Sequence, residues 1–176
     1  MSTIGTPEHL APILTSEKGR PFACSPAAVL VFILDREERI LLLAHPRSSG
    51  AWEVVNGAVE SEESVLSAVL RETREEVGPT VIVRPLGTIH VYTYRFDENV
   101  RAMTSIAYLL AYERGQVMPG DDMAGSAYRW WSLEEILRER PALAVPRQLW
   151  LLERAVELHR LWRDRPLPEL EGPETH

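Results

Sequence analysis

Cysteine is almost absent from this chain, and its scarcity excludes two kinds of structure. Cys24 is the only cysteine, so the chain has neither an intrachain disulfide nor a zinc site built from cysteines. Long apolar runs are also missing, because no stretch of the sequence approaches the length needed to cross a membrane. Residues 1–21 lack the basic start and apolar run of a signal peptide. We therefore expect a cytoplasmic protein without a membrane partner.

Positive charge is also in short supply. The chain carries 19 lysines and arginines against 26 aspartates and glutamates, which gives a net charge of -7 and a pI near 5.3. Binding to a nucleic-acid backbone requires a basic stripe, so we expect no nucleic-acid partner. Neither a Gly-x-Gly-x-x-Gly turn nor a Walker loop is present. Dinucleotide oxidoreductases and P-loop enzymes are therefore disfavoured, because each depends on such a phosphate cradle.

Length and composition predict one globular domain. With 176 residues, 45% of them hydrophobic, the chain can bury one sizeable core but not two. We place this domain at residues 26–165, between an N-terminal arm at 1–25 and a C-terminal tail at 166–176. Prolines and polar residues in the arm predict an extended segment, either mobile or lying against a neighbour. A homodimer could form through this arm.

Hydrophobic patterning predicts alternating strands and helices. Two continuous apolar runs, at 28–34 and 40–44, predict strands that are buried on both faces and paired as a central hairpin. Apolar residues recur at helical spacing over 64–77, and the Gly-Pro that follows ends that helix. Further strands are predicted at 81–83, 88–96, 100–112 and 128–131, followed by a capping box at 132–135 and a helix at about 146–162. This order permits a mixed sheet between the first helix and the C-terminal helices.

Three glutamates cluster near the end of the first predicted helix. Glu72, Glu75 and Glu76 stand three and four residues apart, so the helical repeat brings their carboxylates onto one face. Their repulsion costs roughly 0.2–0.5 kcal/mol per pair, and the helix dipole disfavours negative charge at this end. Arg71 and Arg74 offset part of that cost, but clustered carboxylates are also the ligands that Mg²⁺ requires. A solvated acidic face is the alternative, although such a face would place acidic residues first and basic residues last.

The segment from Gly57 to Gly78, GAVESEESVLSAVLRETREEVG, resembles the signature of Nudix hydrolases. That signature has a glycine, five residues, a glutamate and seven residues before Arg-Glu-apolar-any-Glu-Glu-any-Gly-apolar. Seven fixed positions match in register, while Thr73 and Pro79 occupy the two apolar positions and Val-Asn-Gly replaces the common Pro-Gly-Gly. The resemblance implies an α/β (α+β) fold, a Nudix-type α/β/α sandwich with a mixed β-sheet. It also implies that the signature forms the catalytic floor.

The resemblance implies a metal site within the signature. The expected ligands are Gly57, Glu72, Glu75 and Glu76, with Glu75 and Glu76 as the firmest. Gly57 would supply a backbone conformation or a carbonyl that a side chain would block. Mg²⁺ is the expected cofactor, and Mn²⁺ is a possible substitute.

Catalysis requires a positioned carboxylate and a base that takes a proton from water. Arg71 lies four residues before Glu75 and can orient its carboxylate, and Glu63 is expected to bind either Arg71 or a water on the metal. The base is either a glutamate of the signature, Glu72 or Glu75, or an acidic residue of a later loop. The loop candidates are Glu98, Asp121 and Asp122, with Asp122 preferred among them. Many relatives carry a glutamate nearer the following tryptophan, where this chain has Ser-Ala, and this departure favours the signature.

Substrate-binding residues are indicated more weakly. The predicted set is Arg47, Trp52, Asn56 and Tyr92. Trp52 and Tyr92 are candidates for stacking on a base, although aromatic residues at strand edges more often belong to the core. Arg47 is a candidate phosphate contact, whereas His90 more often would be a histidine satisfied within the fold.

The sequence therefore predicts a Mg²⁺-dependent hydrolase that cleaves a pyrophosphate bond in a nucleoside diphosphate linked to another group, X. Its expected partner is a small-molecule nucleotide, and the identity of X stays open. One alternative is a catalytically silent Nudix module that senses a nucleotide or binds a protein. Isopentenyl diphosphate isomerase, which shares the fold, is disfavoured because it needs a cysteine after the second strand and Cys24 lies before it.

Overall fold

The computed structural model describes residues 13–44, 50–144 and 149–165 of the chain. The strands in these ranges are β1 (Ile13–Thr15), β2 (Pro21–Ala23), β3 (Ala27–Leu34), β4 (Ile40–Ala44), β5 (Trp52–Glu53), β6 (Val55–Ala58), β7 (Ile82–Tyr94), β8 (Met103–Arg114) and β9 (Ala127–Trp131). The helices are α1 (Val65–Val77), α2 (Leu133–Glu139) and α3 (Leu149–Trp162), and a short 3₁₀ helix spans Asp121–Met123. Within the described ranges, no helix is long and apolar enough to cross a membrane.

Seven of the strands form one mixed sheet. Strands β3 and β8 run parallel in its middle, and β7 pairs with β8 in the antiparallel direction at one edge. Strands β6 and β4 lie on the other side of β3, and β4 also pairs with β5 and β9. The mixed sheet predicted from the sequence is confirmed.

The sheet separates two hydrophobic cores. Alternate residues of a strand point to opposite faces, so Val31 and Ile33 of β3 pack on the side of α1, whereas Phe32 and Leu34 pack on the side of α3. These four side chains are at most 1% exposed, as expected for a strand covered on both faces. Helix α1 covers one face and helices α2 and α3 cover the other, which confirms the α/β/α sandwich.

Helix α1 begins and ends where the sequence predicts. The Ser64 hydroxyl caps its start by accepting a hydrogen bond from the Ser67 amide. Gly78 ends the helix at a φ of 115°, a conformation that L side chains rarely adopt, and its amide donates to the Arg74 carbonyl. The chain therefore turns away directly after the glutamate cluster.

The strand pairing differs from the sequence prediction in two places. Strands β3 and β4 pair only at Leu34 and Ile40, so the predicted central hairpin is limited to its turn, because β6 pairs with residues 28–31 of β3. The strands predicted at 81–83 and 88–96 form the single strand β7, since β8 is a continuous partner. The interruption between Pro85 and Gly87 is accommodated as a shift in register.

Part of the N-terminal arm is a hairpin and not a single extended segment. Strands β1 and β2 pair with each other in an antiparallel sheet that is separate from the main sheet. Its apolar residues Ile13, Leu14 and Phe22 are 51%, 60% and 48% exposed. Residues 1–12 of the arm and the predicted tail at 166–176 lie outside the described ranges.

Candidate active site

An acidic cleft of about 640 Å³ opens where β6, α1 and the 3₁₀ helix meet. Its described lining residues are Asn56, Gly57, Ala58, Glu60, Arg71, Glu72, Glu75, Glu76, Asp121 and Asp122. Six of these ten side chains are carboxylates, and Arg71 alone among them is basic. The fold therefore gathers negative charge around one guanidinium group.

Arg71 holds the carboxylates of the cleft in place. Its Nε and Nη2 donate to the two oxygens of Glu63, at 3.0 Å each. Its Nη1 donates to Glu72 Oε1 at 2.7 Å and to Glu75 Oε2 at 3.0 Å, and Nη2 also donates to the Ala58 carbonyl at 2.9 Å. The hydrogen bond to Glu63 is the largest cause of a raised pKa at Arg71, and the same bond lowers the pKa of Glu63. The contacts predicted for Arg71 with Glu63 and Glu75 are present.

Gly57 lies directly against the Glu72 carboxylate. A Cβ at Gly57 would stand 2.0 Å from Glu72 Oε1 and 2.1 Å from Glu72 Cδ. The φ of Gly57 is not positive, so the glycine is needed for close approach and not for an unusual backbone conformation. Burial raises the pKa of Glu72, and the hydrogen bond from Arg71 opposes that rise.

Glu76 is buried at the base of the cleft. Glu76 is 7% exposed, and its Oε2 accepts a hydrogen bond from the backbone amide of Asn56 at 3.3 Å. Burial raises the pKa of Glu76 to about 8, the Asn56 amide opposes the rise, and the charges of Glu72, Glu53 and Asp122 add to it. A carboxylate in such surroundings gains its charge at neutral pH most readily when a cation lies beside it.

The loop after β8 packs on the C-terminal end of α1. The Met118 and Gly120 amides donate to the carbonyls of Val77 and Glu76, at 2.8 and 3.3 Å, and so satisfy the end of the helix. Gly120 approaches so closely that a Cβ there would lie 2.7 Å from the Glu75 carbonyl oxygen. The loop is therefore fixed to the helix that carries the glutamates.

The same loop brings two more carboxylates to the cleft. The 3₁₀ helix places Asp121 and Asp122 along its rim, and the charge of Asp122 contributes to the raised pKa of Glu76. Glu98, the other loop residue considered as a base, pairs with Arg95 in the turn between β7 and β8 and does not line the cleft. Asp122 therefore joins the signature residues in one site.

The oxygen donors of the cleft suit a hard divalent cation. Within the described part of the chain, no three Asp, Glu, His or Cys side chains form a ready metal-binding group. Arg71 accounts for this arrangement, because it draws one oxygen of Glu72 and one of Glu75 toward itself. The other oxygen of each carboxylate takes no part in these two bonds. The predicted ligands share one cleft, and their binding of a metal stays a prediction.

A second cavity, of about 720 Å³, adjoins the acidic cleft. We call it the aromatic cavity, because its walls include His90, Tyr92, Tyr94, Phe96 and Trp150. The rings of His90 and Tyr92 are stacked at 5.9 Å, and Trp150 meets His90 edge-on at 4.9 Å. Asn56, Gly57 and Ala58 line both cavities. A molecule with a flat ring and a charged group could therefore span them.

The predicted substrate-binding residues are divided between different surroundings. Asn56 and Tyr92 line the aromatic cavity. Trp52 lines neither cavity and packs edge-on against Trp131, with 5.4 Å between ring centroids, whereas Arg47 lies outside the described residues. Trp150 was missed, since nothing in the sequence indicates that α3 lies beside β7.

Known proteins resemble this chain in sequence. A NUDIX domain model matches residues 25–153. The NAD-capped RNA hydrolase NudC of Pseudomonas aeruginosa is 31% identical over 108 residues, which are 61% of this chain and 36% of that protein. The CTP pyrophosphohydrolase of Escherichia coli is 43% identical over 53 residues, which are 28% of this chain and 39% of that protein. The match spans less than half the length of either curated relative.

Solved structures resemble it in fold. An ADP-ribose pyrophosphatase from Streptococcus suis superimposes with a TM-score of 0.62 over 78% of this chain and 93% of that one, at 20% sequence identity. At this identity the likeness shows the fold alone. The match to the NUDIX model runs from just before β3 into α3 and so includes the whole mixed sheet and the acidic cleft. This chain therefore belongs to the NUDIX domain family.

Proposed function

We propose that this protein is a Mg²⁺-dependent hydrolase that cleaves a pyrophosphate bond in a nucleoside diphosphate linked to another group, X. The observation that carries the proposal is the acidic cleft joined to the aromatic cavity, which together suit a charged pyrophosphate and a flat base. A CTP pyrophosphohydrolase among the relatives and an ADP-ribose pyrophosphatase among the structural neighbours support a nucleotide of this class.

Four residues would hold the cation. These are Gly57, through its backbone carbonyl, and Glu72, Glu75 and Glu76, through their carboxylates. NUDIX hydrolases generally use divalent metal ions. Mg²⁺, or Mn²⁺ in its place, would neutralise the pyrophosphate oxygens and so lower their repulsion of an incoming water. Glu76 fits this role, because a cation would offset the burial that raises its pKa to about 8.

The side chains of the cleft would perform the remaining steps. Arg71 keeps Glu72 and Glu75 oriented, and the bidentate contact from Glu63 keeps Arg71 oriented in turn. We assign the base to Glu72, because only one of its two carboxylate oxygens accepts the hydrogen bond from Arg71 and because burial raises its pKa. Glu72 would take a proton from the attacking water. Asp122, at the rim of the same cleft, is the competing base.

A small-molecule nucleotide is the proposed partner. The net charge of -7 disfavours a polynucleotide backbone, although one relative is named for NAD-capped RNA. Cytoplasmic location and a homodimer through the N-terminal arm stay predictions. Light scattering would test the dimer, since one chain has a mass of 20.0 kDa and a dimer would have twice that mass.

Product analysis tests the proposal. The protein is incubated with nucleoside triphosphates, nucleotide sugars, dinucleoside polyphosphates and capped nucleotides, with Mg²⁺ or Mn²⁺, and the products are identified. Glu75→Gln and Glu76→Gln should each lower turnover at least about a hundredfold with the fold intact, because they remove ligand charge and not core volume. Glu134→Gln makes the same chemical change at an exposed position of α2 and should leave turnover unchanged. Full activity in both cleft variants would contradict the assignment, and nucleotide binding without any product would support the catalytically silent module.

A further inference from the structure

The side-chain amide of Asn56 has a defined orientation where the acidic cleft meets the aromatic cavity. Its Nδ2 donates to the Val54 carbonyl at 3.2 Å and to Glu53 Oε2 at 3.4 Å. Both partners are acceptors, so rotating the amide by 180° would set its oxygen against two other oxygens. The nitrogen therefore faces Val54 and Glu53, and Oδ1 faces away from them.

Asn56 Oδ1 is available to a ligand. Within the described residues no group donates a hydrogen bond to it, and it is not among the buried polar atoms that lack a partner. The atom is thus accessible at a position that lines the aromatic cavity. It can accept a hydrogen bond but cannot donate one.

The lining of the aromatic cavity combines aromatic and polar side chains. Tyr92 and Trp150 belong to this lining, and so do Glu53 of β5 and Asn56 of β6. A flat ring with apolar faces suits the walls. A hydrogen-bond donor on the edge of that ring suits Asn56 Oδ1.

We propose that Asn56 determines base specificity by accepting a hydrogen bond from an exocyclic amino group. The protein then prefers adenine and cytosine over their keto counterparts hypoxanthine and uracil, whose carbonyl oxygen would face Oδ1 in place of the amino group. Glu53 acts as a positioning residue, because its carboxylate holds the Asn56 amide in the orientation that presents Oδ1. This inference rests on the proposed function and names the class of base within the substrate.

Equilibrium binding of mononucleotides tests the inference without requiring hydrolysis. Calorimetric titrations with AMP and IMP, and with CMP and UMP, form two matched pairs. The wild-type protein should bind the amino member of each pair at least about tenfold more tightly, as expected when a hydrogen bond is replaced by two opposed acceptors. Asn56→Leu keeps a similar volume without an acceptor, and it should bring the AMP-to-IMP ratio close to one.

Two further variants separate recognition from general damage. Tyr92→Leu should weaken the binding of AMP and of IMP by the same factor, because a stacking surface does not distinguish an amino group from a carbonyl. Glu53→Gln should reduce the AMP-to-IMP ratio, because a glutamine no longer fixes the Asn56 amide. Its own amide can donate to Oδ1 of a rotated Asn56 side chain, which then presents Nδ2 to the ligand. The second variant also keeps the test valid if Asn56→Leu does not fold.

The outcomes distinguish this inference from the proposed function. The base preference would be overturned if AMP and IMP bound equally tightly, if IMP bound more tightly, or if none of the four mononucleotides bound. Hydrolysis is measured in a separate experiment, by identifying the products, and this experiment tests the proposed function. A tenfold preference for AMP over IMP, with no product formed from any of the substrates, would refute the proposed hydrolase and leave the role of Asn56 standing. Hydrolysis of ADP-ribose and IDP-ribose at equal kcat/KM would support the hydrolase and refute the role of Asn56.

Discussion

At the scale of single residues, Gly57 sets the space available to the Glu72 carboxylate. In Gly57→Ala the new Cβ would stand 2.0 Å from Glu72 Oε1, so the flexible end of Glu72 must swing away from Arg71. We expect turnover to fall by roughly 10- to 100-fold, because catalysis is sensitive to displacements of about 1 Å. The melting temperature should change by only a few degrees, since the backbone need not move. Steady-state kinetics and thermal denaturation measure the two effects.

Gly19→Ala is the matched control for this substitution. Gly19 has a φ of +78° and open space around its Cβ position in the turn between β1 and β2. The substitution therefore strains a backbone without touching the cleft, and it should leave turnover unchanged. Unchanged turnover in Gly57→Ala as well would show that the position of the Glu72 carboxylate is unimportant.

The identity of the base is also decided at single residues. Glu72→Gln should lower the maximal rate by about 10²–10⁴-fold and remove the acidic limb of the pH–rate profile, because the base is lost. Burial raises the pKa of Glu72 above its usual value of 4.5 in the protein without metal, and a cation beside the carboxylate would lower it again. Asp122→Asn should have a mild effect, and Glu98→Gln, outside the cleft, should have none. Loss of the acidic limb only in Asp122→Asn would transfer the role to Asp122.

At the scale of elements, the loop between β8 and β9 completes the site by docking on α1. A Cβ in Gly120→Ala would lie 2.7 Å from the backbone oxygen of Glu75. A helix backbone cannot yield as a side chain can, so the loop must move, and the hydrogen bond from Gly120 to Glu76 weakens. We expect a loss of about 1–3 kcal/mol in the free energy of unfolding and a lower turnover. Chemical denaturation and kinetics measure them.

Ala124→Ser provides the comparison for the loop. Ala124 is exposed and follows the 3₁₀ helix directly, so a hydroxyl there meets water. Stability and turnover should both stay near wild-type values. If Gly120→Ala behaved in the same way, the contact between the loop and α1 would have no part in placing Asp121 and Asp122.

Elements whose signals are local could be predicted from the sequence, whereas contacts between distant elements could not. The ends of α1 follow from Ser64 and Gly78, and the spacing of Arg71 and Glu75 predicts their contact. By contrast, β6 takes the place of β4 along residues 28–31 of β3, a choice between two apolar partners that local patterning does not decide. The same limit applies to the aromatic cavity. The alternation of His90, Tyr92 and Tyr94 indicates one strand face, but Trp150 reaches it only through tertiary packing.

At the scale of the whole molecule, the cleft makes stability depend on pH and on metal. Burial raises the pKa of Glu76 from 4.5 in the unfolded chain to about 8, so the folded state binds more protons between these pH values. Its contribution to the free energy of unfolding is therefore full below about pH 4.5 and is lost as the pH rises through about 8. Burial lowers the pKa of His159, so the contribution of His159 to the free energy of unfolding increases as the pH rises, opposite to that of Glu76. A variant that removes only Glu76 is thus needed to isolate the effect.

Comparison of the wild-type protein with Glu76→Gln isolates it. With chelator present, the melting temperature of Glu76→Gln relative to wild type should rise as the pH increases from about 5 to 8, because glutamine has no proton to lose. Millimolar Mg²⁺ should then raise the wild-type melting temperature by mass action on the folded state. This gain should be larger at pH 8 than at pH 6, since the ligand must be deprotonated, and smaller in Glu76→Gln. An Mg²⁺ effect that is absent, or that is equal in the two proteins at both pH values, would remove Glu76 from the metal site, because a ligand carboxylate must couple cation binding to the release of its own proton.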